Sequence, residues 1–294
     1  MTDVEARTLA RNCLLAGALG DAWGGPYEGR AGPLQPVFPE EPRLSDDTWL
    51  TLATCEAIVL SRGRVQPERI AERFRSWFES GRITGAGSAT IKALRDLAAG
   101  AHWALAGARG EFASGSGAAM RAAPLSFFLD PRVEADRRTI RDVSRITHHS
   151  DEAYAGALAV VVALRLCAQH AAVPGHFLSL VSDELPDTAV RDRLLDLSTC
   201  QDSPSDAAGR FGCSGHVVEA VPMALFVAAK TPDESMESVI STAVSLGGDT
   251  DTIAAITAQV AAISGRPLPD TLVAKLPEAP RFGPVLDNFV SLLK

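Results

Sequence analysis

Two short acidic motifs stand far apart in this chain, Ser45-Asp46-Asp47-Thr48 and Gly248-Asp249-Thr250-Asp251-Thr252. Each precedes an apolar run of helical period, so a fold that joins the two helix starts would gather four carboxylates flanked by hydroxyls. That donor set matches hard divalent cations such as Mg²⁺ or Mn²⁺, which take carboxylate, hydroxyl and water oxygens and need no soft ligand. Without a cation, four carboxylates in one pocket repel one another and some must keep their protons. The competing explanation is helix capping, because Asp, Ser and Thr before an apolar run commonly accept from orphan backbone amides and suit the positive end of the helix dipole. One motif alone reads more readily as a cap. Two motifs, each with a doubled carboxylate where a single cap would suffice, favour metal.

Three further groups could do chemistry. Ala113-Ser114-Gly115-Ser116-Gly117-Ala118-Ala119-Met120-Arg121 is a Gly/Ser loop opening an expected helix, and such loops can turn several backbone amides toward a phosphate. A flexible helix entry explains it equally well, and it lacks the lysine of a Walker loop. His148 lies in Ile146-Thr147-His148-His149, just before a long apolar helix, where a histidine is more often structural than functional. Glu28 closes Gly20-Asp21-Ala22-Trp23-Gly24-Gly25-Pro26-Tyr27-Glu28, and the usual fate of a loop glutamate is solvation.

The elements expected to position these groups are helices. Ala, Leu and Val dominate the 294 residues, aromatics are few and alternating runs are scarce. Helical period recurs over residues 4–22, 48–61, 67–80, 88–99, 117–128, 135–146, 151–170, 187–199, 215–229, 234–245 and 252–264. The expectation is an all-α, single compact multi-helix bundle of about a dozen helices, one domain over residues 1–294, with a dinuclear metal site at its centre. Residues 24–42 carry five prolines and are expected to form a semi-rigid loop of the kind that often serves as a lid. Residues 200–214 read as irregular connection.

A net charge of −8 argues against a nucleic-acid or anionic-membrane surface. Five scattered cysteines, without a Cys-x-x-Cys pair, suit a reducing compartment. Met1 to Ala10 has no apolar signal core, and the apolar stretch from Ala153 to Leu164 is too short for a membrane span. A cytoplasmic location is expected.

In order and spacing these motifs make the chain resemble the ADP-ribosylglycohydrolase family, which includes the dinitrogenase reductase-activating glycohydrolases. The resemblance rests on Gly-Asp-Ala-x-Gly-x-Pro-x-Glu at 20–28, Ser-Asp-Asp-Thr at 45–48, Gly-x-Gly-Ala-Ala-Met-Arg at 115–121, Thr-His at 147–148 and Leu-Gly-Gly-Asp-Thr-Asp-Thr at 246–252. It implies an all-α fold holding two Mg²⁺ or Mn²⁺ ions, with Ser45, Asp46, Asp47, Asp249, Asp251 and Thr252 as ligands. It further implies Glu28 over the metals on a mobile loop, the loop of Gly115, Ser116 and Gly117 toward the diphosphate of ADP-ribose, His148 beside that ligand, and Met120 among the substrate-binding residues. Glu28, Asp47 and Asp251 are the candidate catalytic residues.

Three departures stand out: Ser45 where the family usually has Thr, Ser116 where asparagine is frequent, and no acidic residue in Thr84-Gly85-Ala86-Gly87-Ser88, where many relatives carry one. The resemblance implies hydrolysis of the bond from ADP-ribose to a modified protein side chain, arginine before serine, with ADP-ribose as product. The rivals are a catalytically silent ADP-ribose-binding or crystallin-like relative, and a two-metal hydrolase of O-acetyl-ADP-ribose or ADP-ribosylated nucleic acid. Nothing in the sequence speaks to oligomeric state.

Overall fold

The computed structural model describes residues 2–170, 172, 175–277 and 279–293. In chain order the helices are α1 (Asp3–Gly24), α2 (Asp46–Leu60), α3 (Pro67–Glu79), α4 (Ser88–Ala98), α5 (Glu134–Arg145), α6 (Asp151–Ala168), α7 (Phe177–Ser182), α8 (Ala189–Thr199), α9 (Pro204–Phe211), α10 (Val217–Lys230), α11 (Met236–Ser245), α12 (Thr250–Ile263), α13 (Asp270–Val273) and α14 (Ala279–Val290). No described helix is long and apolar enough to cross a membrane.

Helix α12 is buried along its whole length, and α6 and α10 are buried over most of theirs. Their near-continuous apolar sequences demand this, since a helix apolar all round must be enclosed by others. Helix α1 lies against α12 at close range. Gly17, Gly20 and Gly24 recur at helical spacing on its inner face, and a Cβ at Gly20 or Gly24 would sit 2.4 Å from the carbonyl oxygen of Ala254 or Thr250. Small residues there let the backbones touch and bring the end of α1 beside the start of α12. Thr250 Oγ1 secures the crossing by donating to the Gly24 carbonyl at 2.9 Å.

Several expectations are corrected. Residues 117–128 are not one helix but two short 3₁₀ turns, Ser116–Ala118 and Ala123–Phe127. Pro124 is the physical reason: it cannot donate to the Met120 carbonyl, and its ring would crowd it. The stretch 200–214, expected to be irregular, contains α9, with Ser203 capping through a bond from Asp206 N at 3.2 Å and Pro204 in the first turn. Helices α7, α13 and α14 lie outside the expected set. Helix α14 is structurally important, because buried Phe289 packs edge-on against Phe127 and Phe128 at centroid distances of 6.2 and 5.4 Å. A two-residue parallel ribbon, β1 (Ala108–Arg109) with β2 (His148–His149), places His148 opposite Ala108.

Candidate active site

The first turn of α2 and the first turn of α12 open onto one cleft of about 240 Å³. Glu28, Asp46, Asp47, Gly115, Ser116, Gly117, Met120, His148, Asp249, Asp251 and Thr252 all line it. Motifs separated by some two hundred residues are therefore neighbours. A larger cavity of about 700 Å³ lies beside Pro42, Trp77 and Phe282, but no carboxylate lines it among the described residues.

Capping does not account for the acidic residues. At α2 the cap is Ser45, whose Oγ accepts from Asp47 N at 3.2 Å. Asp21, fully buried on α1, supports the same turn from outside: its oxygens accept from Ser45 N at 3.1 Å, from Thr48 N at 3.3 Å and from the Thr48 hydroxyl. Asp46 and Asp47 are thus not needed as the cap of this helix, and Asp47 Oδ2 is buried without a hydrogen-bond partner among the described residues. At α12, Asp249 occupies the cap position, yet its carboxylate makes no capping bond. Its Oδ2 instead accepts from Ser116 Oγ at 2.8 Å, tying the Gly/Ser loop to the acidic motif. Asp251 Oδ1 accepts from Thr252 N at 3.0 Å.

The turn entering α12 is built for close approach. Gly247 and Gly248 have φ of 77° and 72°, and a Cβ at Gly248 would lie 2.0 Å from the Cys213 carbonyl oxygen. Only glycine meets both demands. This turn also grips the proline-rich segment: Gly29 N donates to Gly248 O and Gly248 N to Arg30 O, both at 2.8 Å, and Leu34 N donates to Ser245 O at 2.8 Å. The segment expected to be a lid is therefore hydrogen-bonded to the turn over residues 29–34. Glu28, at the end of the 3₁₀ turn Gly25–Tyr27, is held just before that junction. It is exposed, and one of its oxygens lies with oxygens of Asp249 and Asp251 in a group spanning no more than 4.8 Å.

Burial and mutual repulsion push these carboxyls toward their protonated forms. Burial is the largest cause for Asp21 and Asp249, raised to about 7 and about 8, with the charge of Asp251 next. Asp46 and Asp47 are raised well above the ordinary range by the same two causes. Glu28 is raised first by the charge of Asp251 and then by partial burial. Such a cluster is an incomplete charge balance that a cation would complete. Oxygen donors, a buried orphan lone pair and raised carboxyls fit a hard divalent ion. Glu28, Asp249 and Asp251 form a close triplet that could hold a metal ion, while Asp46 and Asp47 line the same cleft from α2.

The Gly/Ser loop on the other side of the cleft is equally ordered. Residues 115–117 open a single 3₁₀ turn, not a helix, and are held by Ser116 N donating to Gly215 O at 2.9 Å. A Cβ at Gly117 would meet His148 Cε1 at 2.7 Å, so the imidazole packs directly on the loop. Met120 and His148 are buried. The acid-free segment Thr84-Gly85-Ala86-Gly87-Ser88 borders the cleft through Gly85, Gly87 and Ser88, and Thr84 Oγ1 is tied to Leu44 O at 3.2 Å.

The sequence alone points to no role for Asp21, Thr90 or Arg121. Asp21 carries a signal, a charge amid the small apolar residues of α1; Thr90 carries none, being one hydroxyl in an ordinary amphipathic helix that happens to border the cleft.

An uncharacterized protein of Archaeoglobus fulgidus is 30% identical over 287 residues, covering 88% of each chain. The ADP-ribosylhydrolase ARH3 of Danio rerio is 28% identical over 303 residues, 85% of this chain and 81% of its own. A solved structure, described as an ADP-ribosylglycohydrolase-related protein complex, superposes with a TM-score of 0.77 over 98% of this chain and 99% of its own at 24% identity, which speaks to the fold. The family model for ADP-ribosylglycohydrolases matches residues 2–293, and the chain belongs to the ADP-ribosylglycohydrolase family.

Proposed function

We propose that this protein is a metal-dependent hydrolase that cleaves the glycosidic bond between ADP-ribose and a modified protein side chain, arginine before serine, in the cytoplasm. The observation that carries this reading is the joining of an all-oxygen acidic cluster, the Gly115–Gly117 loop and His148 in one cleft. Family membership supports hydrolysis of ADP-ribose linkages.

Asp46, Asp47, Asp249 and Asp251 would hold two Mg²⁺ or Mn²⁺ ions, with the hydroxyls of Ser45 and Thr252 as further oxygen ligands. Bound there, the ions supply Lewis acidity and lower the pKa of a water. The remaining work falls to the chain. Cleavage at an anomeric carbon passes through an oxocarbenium-like state, and the leaving atom needs a proton. Glu28 suits that role because its raised pKa keeps protons available nearer neutral pH than an ordinary glutamate would. Asp47 and Asp251, the candidate catalytic carboxylates of the cluster, would be ionised once metal is bound and would then favour the developing positive charge. Gly115, Ser116, Gly117, Met120 and His148 would bind the ligand away from the reacting bond, so that remote binding energy fixes the anomeric carbon.

A catalytically silent relative is disfavoured because all four aspartates of the two motifs are intact and buried. The deciding experiment measures release of free ADP-ribose from arginine-linked, serine-linked and acetyl-linked substrates, with and without Mg²⁺. Release from arginine-linked protein only with metal is expected. No release from any of the three would refute the hydrolase reading, and exclusive release from the acetyl-linked compound would move the substrate away from protein.

A further inference from the structure

Beneath the cleft, a charged residue is buried for which the proposed chemistry has no use. Arg121 is fully enclosed, with its guanidinium 4.9 Å from the centroid of the Phe74 ring. Only Nη2 is hydrogen-bonded: it donates to Val143 O at 3.2 Å and to Thr147 Oγ1 at 2.7 Å. Nε and Nη1 have no hydrogen-bond partner among the described residues. A buried cation with two of its nitrogens unpaired is a poor device for stability. Its one ordered arm leads to Thr147, and Thr147 Oγ1 lies 2.8 Å from Nδ1 of His148.

The direction of the protons in this chain follows from valence. Arginine can only donate, so Thr147 Oγ1 accepts from Arg121. Thr147 is fully buried, and its hydroxyl oxygen has no further partner among the described residues. Its single hydrogen must therefore go to His148 Nδ1 or remain unsatisfied in the interior. Were Nδ1 to carry the proton, Thr147 would receive two donors and its own hydrogen would be orphaned. His148 is itself nearly enclosed, and burial together with the Arg121 charge lowers its pKa to about 3. The ring is thus neutral and has one proton to place. Nε2 is the nitrogen near the Gly/Ser loop, 3.2 Å from where a Cβ on Gly115 would stand.

We propose that Arg121 and Thr147 are positioning residues that lock His148 in the Nε2–H form, so that the imidazole meets the cleft as a neutral hydrogen-bond donor to a phosphate oxygen and not as a base. The ligand class rests on the proposed function; the relay of protons does not. Tautomers of histidine are set in this way by whatever the distal nitrogen bonds to.

The test reads the tautomer directly. Two-dimensional ¹H–¹⁵N spectra of the full chain should show a pyridine-like Nδ1 and a pyrrole-like Nε2 for His148 at neutral pH, in protein without ADP-ribose. Thr147→Val, close in shape but without the hydroxyl, should shift the ring toward Nδ1–H and weaken ADP-ribose binding by about tenfold in calorimetry with Mg²⁺. Thr147→Ser should restore both. A wild-type ring protonated on Nδ1 overturns the proposal without any variant being needed. So does Thr147→Val with the wild-type tautomer or the wild-type affinity. The expected tautomers in a protein that fails to bind ADP-ribose would uphold the relay and refute the proposed function.

Discussion

Asp251 is the carboxylate whose charge reaches furthest, acting on Asp21, Glu28, Asp46, Asp47 and Asp249. Asp251→Asn should therefore lower activity by orders of magnitude while leaving the fold intact, whereas Asp183→Asn, at an exposed position after α7, should match wild type. Equal turnover in Asp251→Asn and wild type would refute the metal assignment. Glu28 is a subtler case, because it lies with Asp249 and Asp251 and so could ligate as well as transfer a proton. As a proton donor, Glu28→Gln should cut kcat by about 10²- to 10⁴-fold with little change in ADP-ribose affinity. Loss of affinity with kcat retained at saturating metal would assign Glu28 to binding instead.

Among the elements, the α1–α12 crossing decides whether the site exists at all. An added methyl at Gly24 would lie 2.5 Å from Asp251 Cα and 2.4 Å from the Thr250 carbonyl oxygen, backbone atoms that cannot rotate away. Gly24→Ala should cost about 1–3 kcal/mol in thermal or denaturant unfolding and displace the first turn of α12. Gly209→Ala in α9, where nothing stands within 4 Å of the new Cβ, should be stabilising by about 0.4–1 kcal/mol. A pair of variants with equal melting temperatures would show that the crossing is looser than its geometry requires.

For the whole molecule, stability, pH and metal are linked. A carboxyl whose pKa is higher folded than unfolded contributes stability that is fully present below its unfolded value and is lost as pH rises through its folded value. Asp21 at about 7 and Asp249 at about 8, with Asp46 and Asp47 also raised, place that loss between about pH 4 and pH 8. In EDTA the melting temperature should therefore fall across this window from these groups. With Mg²⁺ or Mn²⁺ the trend should reverse, because protons compete with metal for the same oxygens. A metal binding only the folded chain stabilises it by about 2.7 kcal/mol at a hundredfold excess over Kd. Identical melts with EDTA and with millimolar metal at neutral pH, in protein shown to start metal-free, would refute an assembled metal site.

Much of this molecule is legible in its amino-acid sequence. The helical periods of α1, α2, α3, α4, α5, α6, α8, α10, α11 and α12 are local properties of apolar spacing, and the two acidic motifs announce oxygen chemistry by residue type alone. Where periodicity misleads, the cause is local too: Pro124 breaks an apparent helix, and the Ser203-Pro204 start of α9 leads into no long apolar face. Other features have no local signal. That Asp21 braces the first turn of α2 from α1, that Ser116 bonds Asp249 across 133 positions, and that Arg121 reaches His148 through Thr147 are contacts between residues remote in sequence. Periodicity reports which face of a helix is buried but not against what. The helix crossings, set by the glycines of α1 and the close turn at Gly247 and Gly248, choose which carboxylates are buried together in one cleft, and that burial, with the charge of Asp251 next, raises their pKa values and gives an oxygen-rich cluster that could hold a cation.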